Sequence, residues 1–163
     1  MGICLTLLGL ISFMKKGEAM NWKELAMTSH YQTAIAVKNK LKQGYIEDST
    51  TGIEELIEAL SRSEKRALRS QLTILMMHII KWKIQPKRRS RSWLMTIENA
   101  RIEIEEMLEE EPHLKPQVSK LWDKCFDAAN RLAKKETGIK PNLSELAQED
   151  VFQTEYSLDE EQN

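Results

Sequence analysis

The chain has 163 residues, of which 41% are apolar and 30% charged, with six glycines, four prolines and two cysteines. That length supports one domain with a core of its own, and the composition is ordinary for a globular protein, which excludes collagen-like, disulfide-rich and wholly disordered classes. Twenty-four basic side chains against 25 acidic ones leave a formal charge of −1, so the whole molecule is no electrostatic partner for nucleic acid and any such role must be local.

Met1 to Met14 is an apolar run too short for the roughly 20 residues of a spanning helix. Its charges, Lys15 and Lys16, follow it rather than precede it, unlike those of a signal peptide. Met1-Gly2-Ile3-Cys4-Leu5-Thr6 matches a myristoylation pattern, but the pattern is short and of low specificity. Residues 1–20 are therefore expected to be an apolar leader ahead of a translation start at Met20, and no membrane span is predicted. Cys4 and Cys125 lie far apart with no Cys-x-x-Cys pair, so a reduced, cytoplasmic setting is expected.

From Trp22 to Leu41, apolar residues recur at helical intervals and Gly44 closes the pattern, predicting a first helix. Asp48 to Thr51 offer N-caps for a second, whose face is Ile53, Leu56, Ile57 and Leu60. Ser61 and Glu64 form a capping box, so a new helix starts there or the old one continues with a kink. Leu68, Leu72, Leu75, Met76, Ile79 and Ile80 mark the most buried helix, which ends before Pro86. Ser90-Arg91-Ser92 gives the cap for a helix with Trp93, Ile97, Ala100, Ile104, Met107 and Leu108 on one face. Pro116 opens a further helix carrying Val118, Leu121, Trp122, Cys125, Ala128, Ala129 and Leu132, stopped by Gly138 and Pro141. Asn142 to Ala147 is expected to form a short helix, and residues 148–163 an acidic, flexible tail. No segment alternates with a period of two. The prediction is an all-α fold, an antiparallel bundle of about four to five helices over residues 21–147.

The stretch Ser61-Arg62-Ser63-Glu64-Lys65-Arg66, then His78-Ile79-Ile80-Lys81-Trp82, then Gln85 through Trp93, with Thr96-Ile97, Arg101, Pro112, Leu114 and Glu136-Thr137-Gly138, resembles the signature of a bacterial family, domain of unknown function 29. The resemblance covers roughly residues 28 to 147. It departs in the leader, which the family generally lacks, and at Ile79-Ile80, where leucines are more usual. It implies a helical bundle common in cyanobacteria, with no established activity.

Two groups of side chains are candidates for function. His78 and Trp82 share a helix face, and Trp93 and Arg101 on the returning helix could complete a pocket in which His78 is an acid or base and Arg101 binds an anion. Equally, His78 could be bonded in the core with both indoles as packing anchors. The second group is Lys81, Lys83, Lys87, Arg88, Arg89 and Arg91, six cations within residues 81–91 and no acid among them. Such a turn suits a protein partner, or phosphates with an indole stacked on a base. Residues 103–111 hold six glutamates, so opposite charges fall at opposite ends of a helix pair and self-association is a further possibility. Part of the basic run also suits a helix C-terminus. No nucleotide-binding glycine loop and no His-Glu-x-x-His are present, and the two Glu-x-x-His motifs that a di-iron bundle needs are not both there, so neither a metal nor a cofactor is expected. The sequence leads to a non-enzymatic interaction module acting through the basic turn, with a nucleic-acid-binding accessory and an enzyme centred on His78 as rivals.

Overall fold

The computed structural model describes residues 20–158. The expected leader, Met20 apart, lies outside the described residues. Among these residues all regular structure is helical: α1 (Trp22–Thr28), α2 (His30–Lys42), α3 (Ile46–Ile84), α4 (Arg91–Glu110), α5 (Lys115–Thr137) and α6 (Gln148–Phe152), with 3-10 turns at Pro86–Arg88 and Pro112–Leu114. The all-α fold is as predicted, and no described helix is long and apolar enough to cross a membrane.

Three boundaries differ from the sequence reading, each for a local reason. The single first helix divides at Ser29, whose backbone is extended and whose side chain caps α2 by accepting from Gln32 N. The next helix starts at Ile46 rather than at Asp48 to Thr51. The hydroxyls of Ser49, Thr50 and Thr51 are not caps but donate back to the carbonyls of Tyr45, Ile46 and Glu47. The capping box at Ser61 and Glu64 is not used, because α3 continues through it. Good helix formers surround Ser61, and buried Ala59 and Leu68 on either side hold the helical path.

The chain forms two compact units, Met1–Ser61 and Arg62–Asn163, with α3 contributing to both. In the first unit, α2 and the start of α3 form an antiparallel hairpin around Gly44, which takes the left-handed conformation at φ 82°. Lys40 pairs with Asp48 at 2.9 Å, and the Trp22 indole N–H donates to the same carboxylate at 2.6 Å. These two bonds hold Asp48 below the usual carboxylate range. The buried set is small: Trp22, Ala26, Thr33, Val37, Ser49 and Ala59. Gly52 lets Trp22 and Val37 close on α3, since a Cβ there would stand 2.7 Å from Val37 Cγ2.

The second unit is an up-down-up arrangement of α3, α4 and α5. Lys81 lies against Trp93 and Glu64 against His113, so α4 runs back along α3. Arg69 meets Cys125 and Lys81 meets Glu136, so α5 returns parallel to α3. Between them Leu68, Leu72, Leu75, Met76, Ile79 and Ile80 pack with Ile97, Ala100 and Ile104 of α4 and Cys125, Ala129 and Ala133 of α5. Of the run expected to cap α4, Ser90 is the residue that does so, and Gly138 ends α5 as expected, in the left-handed conformation.

The C-terminal segment differs most from its sequence reading. Residues 142–147, expected to be helical, are not. The helix lies instead at Gln148–Phe152, in the stretch read as an acidic tail. Leu146 and Val151 are buried in the core, and Phe152 tilts against Trp122 with ring centres 6.0 Å apart. Four apolar anchors, Leu146, Val151, Phe152 and Tyr156, dock this segment. The glutamates around them, Glu145, Glu149 and Glu155, are exposed.

Candidate functional site

The end of α3, the turn after it and the start of α4 carry both candidate groups, and the structure sorts them into buried and exposed members. Lys81 is buried; its ammonium pairs with Glu136 at 2.6 Å and sits 4.5 Å from the centre of the Trp93 ring. Lys83 pairs with Asp150 at 2.9 Å. Arg89 donates from Nε to the Trp82 carbonyl at 3.2 Å, and its guanidinium lies 5.0 Å from the Trp82 ring centre. Half of the basic run is thus engaged within the fold. Lys87, Arg88 and Arg91 are exposed, and no ion pair joins them to an acid among the described residues.

The side chains expected to form a pocket, His78, Trp82, Trp93 and Arg101, each have partners within the fold. His78 is half-buried, and its Nδ1 lies 3.0 Å from the Ile74 carbonyl one turn earlier; since a carbonyl only accepts, this nitrogen carries the proton. Burial pushes His78 below its ordinary value, with the hydrogen bond to Ile74 opposing the shift. Trp82 is 4% exposed and takes the edge of Tyr156 at 5.7 Å. Arg101, the proposed anion ligand, is spent on backbone: Nε donates to Val151 O at 2.8 Å, and Nη2 to Thr154 O at 2.9 Å and Asp150 O at 3.3 Å. Its guanidinium also lies 5.5 Å from the Tyr156 ring centre. Arg101 is therefore a clamp on the C-terminal segment, a role invisible in sequence because its acceptors lie some 50 residues away.

That segment makes a cleft that the sequence does not announce. Trp82, Lys83, Arg89, Asp150, Thr154, Glu155, Tyr156 and Ser157 line about 210 Å³ beside the basic turn. Tyr156 donates to Asp150 O at 2.9 Å, and burial, reinforced by the Asp150 charge, pushes its phenol up to about 12. His78 is not among the lining residues.

The described residues that come nearest to a metal-ligand set are Glu64, Glu111 and His113. His113 Nε2 faces Glu64 at 2.9 Å and Nδ1 faces Glu111 at 3.3 Å. One imidazole thus reaches two carboxylates through its two nitrogens, and half of the imidazole is exposed.

A family model for a domain of unknown function, DUF29, matches residues 27–162. The chain belongs to the DUF29 family. The match takes in both units, the basic turn and the C-terminal segment that Arg101 holds. No curated protein and no solved structure matches the chain.

Proposed function

We propose that this DUF29 chain is a non-enzymatic, cytoplasmic interaction module that engages a protein partner through Lys87, Arg88 and Arg91. The observation that supports this is electrostatic. α4 has no acid in its first turn and no base in its last; it opens instead on Arg91, preceded by Lys87 and Arg88, and closes on Glu106, Glu109 and Glu110. Both ends oppose the helix macrodipole, at a cost of about 0.3–1 kcal/mol per charge. A cationic cluster at the positive end of a helix is stabilised by an anionic surface from outside, and a partner carrying carboxylates supplies one. Such a surface includes the glutamate-rich end of α4 in another copy.

Nucleic acid is less well supported. Base stacking needs an open aromatic face, whereas Trp82 is buried and the Lys81 ammonium covers the Trp93 ring. An enzyme centred on His78 is also less well supported: its ring bonds to the Ile74 carbonyl, the Glu136 carboxylate that acts on it is paired with Lys81, and it does not line the cleft beside the basic turn.

The test is a triple reversal, Lys87→Glu with Arg88→Glu and Arg91→Glu, in the full chain. Cross-linking in the native cell should recover a partner with the parent chain and lose it with the variant, whose melting temperature should be no lower than the parent's, since acids suit this end of the macrodipole. Salt-sensitive binding of a mixed-sequence oligonucleotide, abolished by the same variant, would move the assignment to nucleic acid.

A further inference from the structure

Among the described residues, the first unit leaves an apolar face uncovered. On α3, Ile46, Ile53, Ile57 and Leu60 are all exposed, Ile46 and Ile57 each by 60%. At 100° per residue these four fall within one narrow stripe, about a quarter-turn from the buried side formed by Ser49, Gly52, Leu56 and Ala59. On α2, Tyr31 is 72% exposed and Leu41 is also exposed, and with Ala34 they lie a quarter-turn from buried Thr33 and Val37. The pairing of Lys40 with Asp48 and the approach of Val37 to Gly52 make the two helices antiparallel. Offsets of the same sense on antiparallel helices point to the same side, so both stripes form one face of the hairpin.

The edges of this face carry opposite charge. Lys42 borders it on α2 and Glu47 and Glu54 on α3, while Lys38 falls within the α2 stripe between Ala34 and Tyr31, and none of the four joins an ion pair among the described residues. The register set by Lys40 with Asp48 places Lys42 level with Glu47, and Lys38 level with the turn that leads to Glu54.

We propose that a second copy of this chain covers the face, α2 of one copy lying along α3 of the other about a two-fold axis parallel to the hairpin. That axis preserves height along the helices, so Lys42 of each copy meets Glu47 of the other and Lys38 approaches Glu54. It also makes every neighbouring helix pair antiparallel, as in an up-down bundle. A two-fold axis across the hairpin would instead set glutamate edge against glutamate edge. The exposed apolar side chains offer roughly 700 Å² per copy, close to the ~800 Å² that each partner buries in a standard stable interface. The need is physical: the described part of this unit, roughly 40 residues, buries few apolar side chains, and association is one of the usual remedies for so small a core. This surface is separate from the basic turn and does not depend on it.

The experiment is light scattering on the full chain across micromolar concentrations. The parent should show twice its 18.9 kDa mass. Ile57→Glu should weaken association at least about tenfold, helicity by circular dichroism being retained. Lys38→Glu with Lys42→Glu, both exposed, should weaken it about tenfold with helicity retained, and adding Glu47→Lys with Glu54→Lys should restore it. A monomeric parent overturns the proposal, including the case in which only a chain begun at Met20 associates, which would assign the face to residues 1–19. So does a dimer indifferent to Ile57→Glu, or a charge swap that fails to restore association.

Discussion

Replacing Arg101 by alanine tests whether its guanidinium holds the C-terminal segment in place. Three backbone carbonyls, those of Asp150, Val151 and Thr154, accept from this one group at 2.8–3.3 Å. A hydrogen bond to a charged group contributes about 1.5–3 kcal/mol, and bonds that share one donor group do not add, so the set is worth about 3 kcal/mol. In a chain of this length each kcal/mol moves the melting temperature by about 2–4 °C, which gives a fall of about 6–12 °C. The loss is local before it is global, because Arg101 ties the segment to α4 while the α3–α4–α5 core is built separately. Amide exchange across residues 148–156 should accelerate about 100-fold, and the amides around Ile79 and Ile104 should keep most of their protection. Arg101→Lys, which keeps the charge but lacks the planar fork, should fall between. Denaturant titration with exchange mass spectrometry reads both effects. A stability within about 0.5 kcal/mol of the parent, with unchanged exchange in 148–156, would refute the clamp.

Gly52→Ala forces a Cβ to 2.7 Å from Val37 Cγ2 and 2.8 Å from the Trp22 ring; it should destabilise the first unit by about 1–3 kcal/mol and red-shift the Trp22 fluorescence. Glu136→Gln leaves the Lys81 ammonium buried without its anion. With Glu136 itself 49% exposed, the cost should be about 1–2 kcal/mol, and Lys81→Met, which removes the charge and keeps the volume, should cost less. Urea midpoints order the two variants. His78 is held below its ordinary value of about 6.5 by burial. Below that pH the unfolded imidazole takes up its proton before the folded one does, so stability that is complete above the window falls as pH drops through it toward the folded value. His78→Gln should flatten the pH dependence of the urea midpoint across this range, and an unflattened profile would show that His78 is not the group responsible.

The sequence by itself determined the helical class, the caps at Ser90 and Gly138, and the core stripe of the second unit, because periodicity and capping chemistry are written within a few neighbouring residues. Ser61 with Glu64 shows the limit of such local signals: the same pair can open a helix or lie within one, and the burial of Ala59 and Leu68 decides between them. Only the tertiary structure sorted the cations of residues 81–91. Lys81 is neutralised by a residue 55 positions away and Lys83 by one 67 positions away, leaving Lys87, Arg88 and Arg91 as the exposed remainder. It also turned Arg101 from a supposed anion ligand into a clamp, and drew residues 148–158 out of an apparent acidic tail onto the core. The physical reason is the same throughout. Charge and apolarity are properties of the chain, but whether a charge is spent or available depends on which distant groups the packing brings within hydrogen-bond reach.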